Sequence, residues 1–179
     1  MGRQRVLTVF KYTVYALLVA NVFAFLYTAN LTGTGDHKAV DQVGWLLMLG
    51  VFEYETRRAG GGALVFRPVP LAIEFVGYGL ALYAWGRYAS GREWLDFGNA
   101  SVWLLIAAMI WLDLLRPVHA GSHGFRVRAA VKALLYAATF ACAIAWGVRG
   151  EALDFWDAAL WILCFFGIEL NILRIETAR

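Results

Sequence analysis

Charge is what this sequence has least of. Only 16% of its 179 residues are Asp, Glu, Lys or Arg, against roughly 25% in ordinary soluble domains. That shortage excludes a soluble globular protein, because the hydrophobic residues make up 61% of the chain and leave no polar shell to cover them. Cysteine is nearly absent. Cys142 and Cys164 both fall mid-helix, which excludes a disulfide framework and suits small buried apolar residues. Two of the three prolines, Pro68 and Pro70, open a helix, where a missing N–H costs little.

The motifs of chemistry are missing as well. The sequence holds no P-loop, GxGxxG, zinc motif, or Ser–His or Cys–His constellation. No histidine falls where it would hold a haem within an apolar block. His119 and His123 have i, i+4 spacing, but Pro117, Gly121 and Gly124 argue against a helix that holds them on one face, so a surface loop is expected and no metal. No enzyme and no cofactor are expected.

The apolar residues instead fall in six blocks, near Val6–Tyr27, Val40–Glu55, Val69–Tyr88, Asp96–Leu115, Val127–Gly147 and Leu153–Leu173. Each is close to the ~20 residues that cross a bilayer. The fold class expected is therefore an all-α integral membrane protein of six transmembrane helices, treated as one domain over 1–179. The first block lacks a convincing small-residue cleavage site and is kept in the mature protein.

Basic residues mark every second boundary: Arg3, Arg5 and Lys11, then Arg57, Arg58 and Arg67, then Arg116, Arg126, Arg128 and Lys132, then Arg174 and Arg179. This positive-inside pattern places both termini in the cytoplasm. It accounts for the net charge of +3 without nucleic acid. An Arg excess with many Ala and Gly points to a bacterial inner membrane, with the lipid bilayer as first partner and other membrane subunits or further copies of the chain as the next candidates.

A threefold repeat organises the chain. Asp41–Arg58, Asn99–Arg116 and Asp157–Arg174 align at a period of 58 residues. Asp41, Asn99 and Asp157 share a column, as do Trp45, Trp103 and Trp161. Ten residues after each Trp comes Glu55, Asp113 or Asn171, and three later Arg58, Arg116 or Arg174. Upstream, Glu74 and Tyr78 match Lys132 and Tyr136, and Lys11 and Tyr15 match both once the Gly/Thr stretch at 31–36 is read as a longer loop. Each unit is then a two-helix hairpin, over approximately 5–58, 68–116 and 126–174, and three hairpins pack with pseudo-threefold symmetry. Small residues at i, i+4, namely Ala16, Ala20 and Ala24 in the first helix and Ala129 to Ala145 in the fifth, are expected to let backbones approach closely.

Ionisable residues inside a bilayer are costly and mark function by default. Lys11, Glu74 and Lys132 lie one or two turns into the odd helices. Glu53, Glu55, Asp113, Glu169 and Asn171 lie in the last turns of the even ones. Together they form a charged belt. Lys132 is positioned to neutralise Asp113, and Lys11 to meet Asn171 or Glu169. Arg58, Arg116 and Arg174 are ion-pair partners of the repeated acid positions. Glu53 and Glu169 share a column and point about 200° away from Glu55 and Asn171, so polar groups occupy two helix faces. Trp45, Trp103 and Trp161 are either packing anchors or an aromatic ring above the belt. Trp85, Trp94, Trp146 and Trp156 read as an outer aromatic belt.

Two functions follow as expectations. One is a small channel or transporter whose central path is lined by the carboxylates. The other is a non-catalytic subunit or scaffold of a larger membrane complex. In size and hairpin arrangement the chain resembles the acid-activated urea and amide channels, which adds to the first by analogy. Mitochondrial carriers share three two-helix repeats, but their Pro-centred signature is missing here.

Overall fold

The computed structural model describes residues 2–58, 68–119 and 121–177, without the side chains of 2–4, 7, 55–58, 114 and 166–177. The described chain is six helices: α1 (Gly2–Thr32), α2 (Asp36–Arg58), α3 (Pro68–Gly91), α4 (Trp94–Leu115), α5 (His123–Arg149) and α6 (Ala152–Thr177). Four of them carry segments long and apolar enough to cross a membrane, Thr8–Thr32, Pro68–Gly91, Trp94–Asp113 and His123–Arg149. The protein is thus an all-helical, membrane-embedded chain. The second expected span does not reach this standard. Between Asp41 and Glu53, α2 offers an uncharged run of only about 16 Å at 1.5 Å per residue, against a hydrocarbon core of about 30 Å.

The helices form two compact units, Met1–Gly91 and Arg92–Arg179. In the first, α2 packs against both α1 and α3. In the second, α5 packs against both α4 and α6. Helix α1 runs past its expected end, and over that last stretch the Thr28 and Thr32 hydroxyls donate to the carbonyls of Ala24 and Thr28, both at 2.9 Å, which spares them an unpartnered donor in an apolar setting. It stops where Gly33 and Gly35 take φ values of 69° and 85°, which cost glycine little. Ser122 caps α5 by accepting from the Phe125 amide at 3.1 Å. That places His123 on the first turn of α5 and leaves His119 in the preceding loop.

Asp96 and Asp154 sit in the first turns of α4 and α6, where they face the positive end of the helix dipole. Two sequence expectations are corrected. Within each unit the alanine stripes are not the main packing faces: Ala16 and Ala20 on α1 and Ala129, Ala133, Ala137 and Ala141 on α5 are exposed, while Ala24 and Ala145 are half-buried. The buried face of α1 is Val14, Leu18, Asn21, Val22 and Phe25. The close approach occurs instead between Gly44 of α2 and Gly77 of α3, where a methyl on either would stand 2.8 Å from the other's carbonyl oxygen. Finally, Trp146 is no belt residue. It is only 3% exposed and packs with Ala143 and Ala158, whereas Trp94 and Trp156 are open.

Candidate functional site

The belt residues resolve into two clasps, one in each unit. In the first, Lys11 of α1 donates to both carboxylate oxygens of Glu53 of α2, each at 2.8 Å. Tyr12 adds a hydroxyl at 2.8 Å and Tyr15 another at 3.3 Å. The ammonium also lies 5.1 and 5.8 Å from the centroids of the same two rings, within cation–π range. One carboxylate thus meets three side chains, all from a single face of α1. The described partner of Lys11 is therefore Glu53 of its own hairpin, while the side chains of Asn171 and Glu169, which the sequence matched to Lys11, lie outside the described residues. The pairing with Glu53 is local: antiparallel α1 and α2 bring residues 11, 12 and 15 level with 53.

In the second unit, Lys132 of α5 donates to Asp113 Oδ2 of α4 at 2.9 Å. Arg128, one turn earlier on α5, donates to Asp113 Oδ1 at 3.0 Å and to the carbonyl of Arg116 at 2.7 Å. It lies 3.4 Å from the carbonyl of Leu112. Arg128 therefore neutralises the acid and satisfies the Arg116 carbonyl at the end of α4. Asp113 and Lys132 keep 34% and 31% of their side-chain surface open. The sequence offered Arg128 only as a topology charge. Its i, i+4 relation to Lys132 was the signal that both cations share a face.

A third polar group lies at the other end of the first unit. Asp41 accepts from the Trp45 indole at 3.0 Å and from the Tyr88 hydroxyl of α3 at 3.1 Å. The Tyr88 ring meets that of buried His37 edge-on, with centroids 5.0 Å apart. Sequence reasoning passed over His37 and placed Asp41 only in a repeat column.

The other expected site residues are distributed as follows. Glu74 is half-buried on α3 and makes an interaction. Arg116 is exposed. The side chains of Glu55, Arg58, Glu169, Asn171 and Arg174 lie outside the described residues. Trp45, Trp103 and Trp161 are all buried. Trp103 and Trp161 both pack on Phe165, with ring centroids at 4.8 and 6.2 Å. They are anchors within the second unit, and Trp45 is tied to its own helix through Asp41.

Chemically, these groups are donors and acceptors matched across helix pairs. No protein-family model, curated protein or solved structure matches the chain. The geometry above therefore carries the functional argument.

Proposed function

We propose that this protein is a non-catalytic scaffold or accessory subunit of a bacterial inner-membrane complex. In this reading it is built as three tandem two-helix repeats, with both termini in the cytoplasm. The observation that carries the reading is the engagement of the described belt acids. Glu53 is held by Lys11, Tyr12 and Tyr15, and Asp113 by Lys132 and Arg128. A carboxylate that passes ions or protons must exchange partners along a path, whereas one enclosed by donors from a neighbouring helix fixes register.

The repeat reading is supported by which positions are buried. Leu18, Ala81 and Thr139, the same column of the three odd helices, are exposed by 0, 2 and 1%. Phe25, Tyr88 and Trp146 form a second buried column, and Trp45, Trp103 and Trp161 a third. A common period in burial is what three equivalent hairpins require.

The test is purification of the tagged protein from its native membrane in mild detergent, followed by identification of co-eluting chains. A stoichiometric membrane partner is expected. The protein alone, as a monomer or a discrete homo-oligomer, would contradict the subunit reading. It would support the channel or transporter reading, for which the openness of Asp113 and Lys132 is the favouring observation. Flux through reconstituted protein, compared with Asp113→Asn, would then decide whether this acid lies on the path.

A further inference from the structure

Two buried polar atoms in the second unit lack a hydrogen-bond partner among the described residues: Oδ1 of Asn99 on α4 and Nε1 of Trp146 on α5. One is an acceptor and the other a donor, and they belong to helices that pack together. Their level is fixed by the clasp at the far end of the same pair. Asn99 lies fourteen residues before Asp113, and Trp146 fourteen after Lys132. Fourteen residues is close to four whole turns. Because Asp113 and Lys132 meet at 2.9 Å in an antiparallel pair, Asn99 and Trp146 fall at the same level of that pair, and Leu95, one turn before Asn99, packs against the cluster that holds Trp146.

The corresponding residues of the first unit, 58 positions earlier, are Asp41 and Tyr88, which bond directly at 3.1 Å. There the helices touch backbone to backbone at Gly44 and Gly77. The same columns on α4 and α5 hold Val102 and Leu135, whose side chains deny that approach. The polar atom differs too. A phenol carries its hydroxyl at the tip of the ring, but an indole carries its N–H on the side of the ring. Both differences work against a direct bond in the second pair, and neither atom makes one.

We propose that Asn99 and Trp146 bind a water molecule, held between the indole N–H and the amide carbonyl. The two unpartnered atoms call for a small group that accepts from Trp146 and donates to Asn99. Water does both, and buried polar groups without protein partners are the usual seats of internal water. The surroundings of Trp146, with Leu95, Ala143, Ala158 and Ile162, are apolar. They offer a charged ligand no compensation. The inference uses the repeat correspondence for the tyrosine comparison, but the two orphaned atoms stand without it.

The test is a high-resolution crystal structure in lipid, together with two variants. Density for one water within about 3.2 Å of both atoms is expected. A site without such density, or a direct bond between the two side chains, would overturn the proposal. In thermal unfolding, Trp146→Phe removes the donor to the water and should lower Tm by about 2–4 °C relative to Trp146→Tyr. The tyrosine should reach Asn99 directly and dispense with the water. Equal Tm values for the two variants, with no density in the wild type, would mark the site as dry packing. Density without a gain from tyrosine would keep the water and remove the repeat correspondence.

Discussion

The carbonyl oxygens of Gly44 and Gly77 each stand only 2.8 Å from where the other residue's β-carbon would be. This mutual exclusion fixes α2 against α3 more closely than any larger pair would allow, and in a bilayer such contact is a principal source of helix association. Gly44→Ala and Gly77→Ala should each destabilise the protein by roughly 1–3 kcal/mol, the range for overpacking. Gly50 and Gly79 are helical glycines with nothing within 4 Å of a built Cβ. Alanine there should be neutral or stabilising by up to about 1 kcal/mol. Unfolding in a graded detergent mixture would measure all four.

The bond between Tyr88 and Asp41 makes a second prediction for the same helix pair. Tyr88→Phe removes one donor of ordinary strength and should cost about 1 kcal/mol. Asp41→Ala should cost more, because it strips the acceptor from both Tyr88 and Trp45. Thermal unfolding of the two variants beside wild type would check the order. Equal losses would mean that the Trp45 bond contributes nothing.

Arg128 joins two functions in one side chain, and its loss should show in two readouts. Arg128→Gln should lower stability by about 1 kcal/mol, since the pair with half-exposed Asp113 is partly screened. It should also speed hydrogen exchange over the last turn of α4, whose Arg116 and Leu112 carbonyls it approaches. Lys132→Met should lower stability without that local opening. Exchange rates that are the same in both variants would deny Arg128 its capping part.

Much of this arrangement was legible in the residues. Six helices follow from six apolar blocks, and the pair Asp113–Lys132 follows from opposite charges near a short connection. Four features were not. The alanine stripes of α1 and α5 carry the spacing of a packing face yet are exposed, because period alone does not say which face meets a neighbour. Gly44 looked like an ordinary residue in the repeat, and only the register against Gly77 reveals its role. The bond from Lys11 to Glu53 depends on the register of α1 against α2, which the spacing of charges along the chain does not give. Trp146 misled for a related reason, since a tryptophan near a span boundary fits both a lipid-facing belt and a core.

Gly150 closes α5 in the left-handed conformation, with φ 77° and its amide bonded to the Gly147 carbonyl at 3.2 Å. Gly150→Ala should destabilise by about 1 kcal/mol. The loss should be smaller than for Gly44→Ala, because open space surrounds the position. A larger loss would point to a packing role for this turn.

The central claim is that the belt charges fasten helices together. Its most direct measurement is a charge-reversal cycle on Lys11 and Glu53, read as thermal stability in lipid nanodiscs. Lys11→Glu and Glu53→Lys should each lower Tm by several degrees, since each leaves like charges facing across α1 and α2. The double variant should recover most of the loss, with the tyrosine hydroxyls limiting the return. Single variants as stable as wild type, or a double variant no better than the worse single, would contradict the clasp and return these residues to the transport reading.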